Sequence, residues 1–199
     1  MLTGVLLMIA AVEDNPDIDL LTRAKNGDRD AFGELFRKYE KGVFRVARRM
    51  CGSDDEAWDI TQDAFIRAMQ AMDRFDPQYR FFTWIYRITA NLAINYSRKK
   101  GRRREVHFEE AFSAEGQQVT RAELADRAAA EQLAASVEKA VHKLSPALKA
   151  VFVLRVDQQL SYSEIAESLD IALGTVMSRL NRARSRIREE LGPMLEEFE

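Results

Sequence analysis

The residues best suited to touch a partner lie near the end of the chain. Val176, Leu180, Ala183 and Ile187 recur at three- and four-residue spacing. A helix turning about 100° per residue gathers them on one side. Ser178, Asn181, Arg182 and Ser185 fall opposite, with Arg179 and Arg186 along one edge and Met177, Arg184 and Arg188 along the other. Arginine and asparagine can pair with guanine and adenine edges in a major groove, while flanking arginines grip phosphate. The plainer reading is a solvated amphipathic helix, since exposed arginine is common. The residues just upstream favour DNA. Ser161 and Glu164 have capping-box spacing, and Ile165, Ala166 and Leu169 line a short helix. A turn from Asp170 to Gly174 then leads to Thr175, the expected cap of the last helix. This is the pattern of a helix-turn-helix.

A second group crowds aromatic rings beside cations. Phe81, Phe82, Trp84 and Tyr86 open a helix expected over 82–100, with Ile85, Ile88, Leu92 and Tyr96 as its apolar stripe. Trp84, Arg87, Asn91, Asn95 and Arg98 share a neighbouring face that runs into Lys99, Lys100, Arg102, Arg103 and Arg104. Rings that stack on bases, beside cations that meet phosphates, suit single-stranded DNA. Each ring taken alone is more often core, and Trp84 is the one expected to be partly exposed. A third group, Asp54, Asp55, Glu56, Asp59 and Asp63, is interleaved with Trp58, Ile60 and Phe65. Acids at a helix start complement its dipole. They would equally suit a basic protein partner.

The elements that must hold these groups are nearly all helical. Strand-like alternation is absent. A helix over 17–25 stops at Asn26-Gly27, and another starts near Asp28. Phe32, Leu35, Phe36, Tyr39, Val43, Val46 and Met50 are its apolar positions, and Gly52 closes it. Ser53 and Glu56 match a capping box for a third helix carrying Trp58, Ile60, Phe65, Met69 and Met72. Asp76-Pro77 marks a turn. Acids dominate 105–131, which reads as a linker. A helix from near Ala128 to Leu144 follows, and Ser145-Pro146 then starts a helix over 147–156. The expected fold is all-α: two small helical domains joined by an acidic linker, the second containing the helix-turn-helix. The boundaries read as an extension over 1–17, a first domain over 18–105, a linker over 106–130 and a second domain over 131–195.

Composition removes other classes. The 199 residues carry a net charge of −2, so total charge says nothing about nucleic acid. Cys51 is the single cysteine, and His107 and His142 are the only histidines. No disulfide framework can form within one chain, which fits a reducing cytoplasm. Too few ligands exist for a zinc site, and Cys51 reads as a buried, inert thiol. No metal, cofactor or nucleophile–base constellation is expected, which argues against a helical enzyme. Met1 to Val12 are apolar but lack a basic leading region and are too short to span a bilayer. They read as a terminal extension, or as an upstream start with Met8 the true one. The expected location is cytoplasmic, without membrane insertion.

Three motifs carry a family resemblance. The segment Asp54-Asp55-Glu56-Ala57-Trp58-Asp59-Ile60-Thr61-Gln62-Asp63-Ala64-Phe65 resembles the polymerase-binding helix of extracytoplasmic-function sigma factors of the sigma-70 family. Phe82-Thr83-Trp84-Ile85-Tyr86-Arg87-Ile88-Thr89-Ala90-Asn91 resembles their promoter-melting segment. Tyr162-Ser163-Glu164-Ile165-Ala166, with Gly174-Thr175-Val176 and Ser178-Arg179, resembles their upstream-element reader. The resemblance implies a factor that catalyses nothing itself. Core RNA polymerase, promoter DNA and an anti-sigma factor are the partners it implies. Asp59, Gln62 and Asp63 would contact polymerase. Trp84, Arg87, Asn91, Arg98, Arg102 and Arg103, with the loop over 75–81, would meet the minus-ten element. Ser178, Arg179, Asn181, Arg182 and Ser185 would read the minus-thirty-five element. The acidic linker would follow the polymerase RNA path, or serve only as a solubilising tether. Met177 departs from the basic residue common in the family, and Asp76-Pro77-Gln78-Tyr79-Arg80 departs from an Arg-Gly-rich loop. The alternative is a stand-alone helix-turn-helix regulator, which would need a ligand pocket or dimer interface and would bind DNA without polymerase.

Overall fold

The computed structural model describes residues 15–77, 79–103 and 121–195, with side chains except at 100–103, 121–131 and 193–195. The apolar run over 1–12, Arg104, His107 and most of the acidic linker lie outside the described residues. Helices and turns account for the described chain, with no strand among them.

Helix α1 spans Ile18–Lys25 and stops where Gly27 takes a φ of +92°, a conformation that costs glycine little. The Asp28 carboxylate then accepts the Asp30 and Ala31 amides at 3.0 and 3.1 Å, which starts α2, Arg29–Cys51. Gly52, at φ +84°, ends α2 as a left-handed cap. Helix α3 is Asp54–Gln70 and α4 is Phe81–Arg103. The capping box expected at Ser53 does not form, because the Ser53 side chain makes no capping bond. The Glu56 carboxylate instead accepts the Tyr96 hydroxyl of α4. Met72, expected on α3, lies in the short 3-10 turn Met72–Arg74.

Helices α2, α3 and α4 pack on one another, with α1 laid against α2. Leu21, Leu35, Val43, Val46, Met50, Ile60, Phe65, Phe81 and Ile85 fill the space between them. Burying each such side chain contributes about 1.5–3 kcal/mol. The loop leading to α4 is tied from the other end of this unit. Asn15 Nδ2 donates to the carbonyls of Pro77 at 3.1 Å and Tyr79 at 3.4 Å. Lys25 Nζ donates to the Phe75 carbonyl at 2.9 Å. Buried Asp17 accepts from Lys38 and from the Tyr39 hydroxyl.

The second unit consists of α5 (Arg121–Lys143), α6 (Pro146–Val156), α7 (Tyr162–Leu169) and α8 (Leu173–Leu195). Helix α5 starts about two turns before Ala128, inside the acidic stretch. Alanine is the best helix former, and residues 121–130 contain five. At α7 the capping box forms in both directions: Glu164 N to Ser161 Oγ at 3.2 Å, and Ser161 N to Glu164 Oε2 at 2.7 Å. Asp170, at φ +54°, turns the chain. Helix α8 begins at Leu173, so Thr175 lies in its first turn rather than at its cap.

The two units touch directly. Arg49 of α2 meets Asp157 at 3.0 Å and Glu138 at 3.7 Å. Tyr86 of α4 donates to Gln158 Oε1 at 2.7 Å. Gly42 makes the approach possible: a Cβ there would stand 2.5 Å from the Tyr86 hydroxyl and 3.2 Å from Gln158 Oε1.

Candidate nucleic-acid interface

Helix α8 shows the face read from its spacing. Val176, Leu180 and Ala183 are buried against the second unit. Ser178, Asn181, Arg182 and Ser185 are exposed on the other side, and Arg179 is half-buried at the edge. Ser178 Oγ donates to the Thr175 carbonyl at 3.1 Å, so part of its hydrogen-bonding capacity serves its own helix. Met177 is exposed and places an apolar group between the arginines. The short capped helix, the left-handed turn and the exposed basic helix form one rigid substructure through α7–α8 packing. Such an element can enter a major groove and read base edges.

Helix α4 divides its residues less evenly. Trp84 is half-buried, with its ring centroid 4.6 Å from Phe75 and 5.9 Å from Phe81. The ring has a packed side and an accessible side. Asn91, Asn95, Arg98 and Lys99 are exposed. Arg102 and Arg103 extend the helix, and their side chains lie outside the described residues, as does all of Arg104. Arg87 belongs to the same face but is already engaged: its Nη2 donates to the Glu167 carbonyl at 2.7 Å and lies 3.8 Å from Asp170. Spacing along α4 carried no signal for that contact.

Helix α3 presents Asp59 and Gln62 to solvent. Asp63 is half-exposed and paired with Arg67 of the same helix at 3.0 Å. Ile60 and Phe65 are core, as their spacing implied, but Trp58 and Met69 are not. They are 43% and 54% exposed, and Ile66 is 49% exposed. Asp55, Asp59, Gln62, Ile66 and Met69 follow one another at three- and four-residue steps, so α3 carries a mixed acidic and apolar outer stripe. The sequence reading missed Ile66, although this stepping was available to find it.

Cys51 is half-buried, its thiol pushed up by burial and bonded to the Ser53 carbonyl at 3.4 Å, which suits an unreactive group. Beside it, burial pushes Lys149 down to about 8. Burial, then the Lys149 ammonium, also lowers His142. No group of three or more His, Cys, Asp or Glu side chains is placed to hold a metal among the described residues. No described helix is long and apolar enough to cross a membrane.

Comparison with known proteins places this architecture. Residues 35–103 match the family Sigma-70 region 2, and residues 134–187 match Sigma-70, region 4. The chain is 36% identical over 176 residues to the ECF RNA polymerase sigma factor SigW of Bacillus subtilis, covering 86% of this chain and 94% of that one. The chain belongs to the extracytoplasmic-function sigma factors. The ECF RNA polymerase sigma-E factor of Escherichia coli is 34% identical, over 92% of this sigma factor and 98% of its own length. Among solved structures, CnrH in complex with the cytosolic domain of CnrY has a TM-score of 0.65 at 25% identity, covering 89% of this chain and 97% of that chain. The sigma factor RpoE bound to the anti-sigma factor NepR, from Bartonella quintana, has a TM-score of 0.61 at 25% identity, over 81% and 96%. The protein is therefore a sigma factor rather than a stand-alone regulator.

Proposed function

We propose that this sigma factor divides promoter recognition between its two units. The first, over 18–105, docks on core RNA polymerase through Asp59, Gln62 and Asp63. It meets the minus-ten element through Trp84, Arg87, Asn91, Arg98, Arg102, Arg103 and the loop over 75–81. The second, over 131–195, reads the minus-thirty-five element with Ser178, Arg179, Asn181, Arg182 and Ser185. The segment 106–130 links them. The factor works in the cytoplasm and performs no catalysis. An anti-sigma protein holds it in check, a reading supported by the structural relative RpoE, solved in complex with the anti-sigma factor NepR.

The observation that carries this reading is α8. Its polar and basic residues are exposed on one side while Val176, Leu180 and Ala183 lock the other side to the capped helix before it. Polymerase docking is supported by the α3 stripe, where Ile66 and Met69 would supply apolar contact and the acids would supply orientation. Gel filtration with purified core polymerase tests the docking. The wild-type factor co-elutes with core, and Asp63→Arg, with unchanged helical content, weakens that association. An Asp63→Arg factor that co-elutes as fully as wild type removes α3 from the interface.

A further inference from the structure

The contact between units is not a random touching of surfaces. Arg80, Thr83 and Arg87 lie along one edge of α4 and its entry at steps of three and four residues. Glu164, Glu167 and Asp170 lie along α7 and its cap at steps of three. The two rows meet in register. Arg80 is 3.9 Å from Glu164. Thr83 Oγ1 shares its single proton between the Arg80 carbonyl at 2.7 Å and the Glu167 carboxylate at 3.1 Å. Arg87 donates to the Glu167 carbonyl at 2.7 Å and faces the Asp170 carboxylate at 3.8 Å. Arg87 stands one helical turn from Asn91, on the face assigned above to minus-ten DNA. Three carboxylates and one carbonyl therefore line this edge, and two of the carboxylates face arginines that would otherwise be offered to a phosphate backbone.

We propose that Glu164, Glu167 and Asp170 are an internal substitute for DNA phosphate, a latch that covers the Arg80–Arg87 edge of α4 in the free factor. The inference rests on the assignment of that face to nucleic acid. The latch is selective: the reading face of α8 stays exposed while the α4 edge is covered. It is also built to part. Its ion pairs are partly exposed, hence weak and screened by salt. Next to it, the Gln158 Nε2 amide is buried with no hydrogen-bond partner, which leaves the junction short of a fully satisfied core. Opening the latch gives up these weak pairs together with the Tyr86–Gln158 bond and the apolar packing shared by the units, and a polyanion that takes Arg80 and Arg87 offsets part of that cost. Apparent affinity falls by the fraction of molecules in the open form, so a latch closed nine times in ten weakens binding about tenfold.

The test uses the full chain without polymerase and a fluorescein-labelled, mixed-sequence single-stranded DNA of about a dozen nucleotides, read by anisotropy at low salt. The latch variant is Glu164→Gln, Glu167→Gln, Asp170→Asn. Glutamine preserves the capping box and asparagine tolerates the left-handed turn, so the fold is retained. A charge-matched control, Asp19→Asn, Glu34→Gln, Asp55→Asn, removes three exposed acids away from the latch. The latch variant should bind about tenfold tighter than wild type, well beyond the control. Adding Arg87→Gln to the latch variant should remove much of that gain. Equal gains in latch variant and control overturn the latch, because any three acids would then do the same. A latch-specific gain that survives both Arg87→Gln and Asn91→Ala overturns instead the assignment of the α4 face on which the latch depends.

Discussion

Arg182 lies with Ser178, Asn181 and Ser185 on the exposed face of a helix whose other side is locked in the core. If its guanidinium pairs with a base edge, Arg182→Ala costs about 1–3 kcal/mol and relaxes preference at one promoter position. Binding measured on a set of single-base promoter variants checks this. A uniform loss on every variant marks Arg182 as a phosphate contact. Lys149 poses a different question, since its ammonium is buried and, among the described residues, lies 3.5 Å from the His142 ring nitrogen. Its folded value of about 8 lies below the usual 10.5. The unfolded chain thus holds more protons between those values, and stability rises with pH above about 8. Depressed His142 acts in the same sense, its penalty growing as pH falls below about 6.5. Cys51, pushed up by burial, opposes the rise above about pH 9. Lys149→Met should raise stability on the order of 2–3 kcal/mol at pH 7 and flatten the climb between pH 8 and 9, as read by thermal unfolding. A wild-type melting temperature flat across that range contradicts the burial account.

At the scale of elements, α4 must do two jobs. Its buried face holds the first unit together through Phe81, Ile85 and Ala93, and its open face carries Asn91. Opening DNA breaks stacking at roughly 1.4 kcal/mol per base-pair step, and base–aromatic stacking can return about 1–3 kcal/mol per base. Asn91→Ala should therefore leave polymerase recruitment intact while lowering permanganate reactivity of thymines at the promoter start. Normal reactivity in Asn91→Ala shows that melting is driven elsewhere. Elements with local signals were legible in the sequence. Ser161 and Glu164, three residues apart, cap α7 as their spacing implied. Ser53 and Glu56 have the same spacing and no capping box, because Tyr96, forty residues away, takes the carboxylate. Spacing cannot report a distant competitor. The same limit explains Trp58: its ring packs on Phe44 at 4.5 Å yet stays 43% exposed, since α3 turns that edge outward.

The whole molecule combines features that the sequence showed separately with one that it did not show. Two helical units and a helix-turn-helix were readable from periodicity, caps and composition. The junction between the units was not, because apolar spacing says which face of a helix is buried but not which unit covers its polar edge. Arg87 read as a DNA-facing charge and Arg80 as part of the loop over 75–81, yet Arg49, Arg80 and Arg87 each have an acidic partner across the junction. Under the division of labour proposed above, initiation exchanges the contacts between the units for contacts to polymerase and promoter. Run-off transcription of the source genome, with purified core polymerase and mapped 5′ ends, tests the central claim most directly. Adding the factor should create a set of start sites preceded by two shared sequence elements, none of which core polymerase alone uses. The account is contradicted if the factor leaves the start sites of core polymerase unchanged.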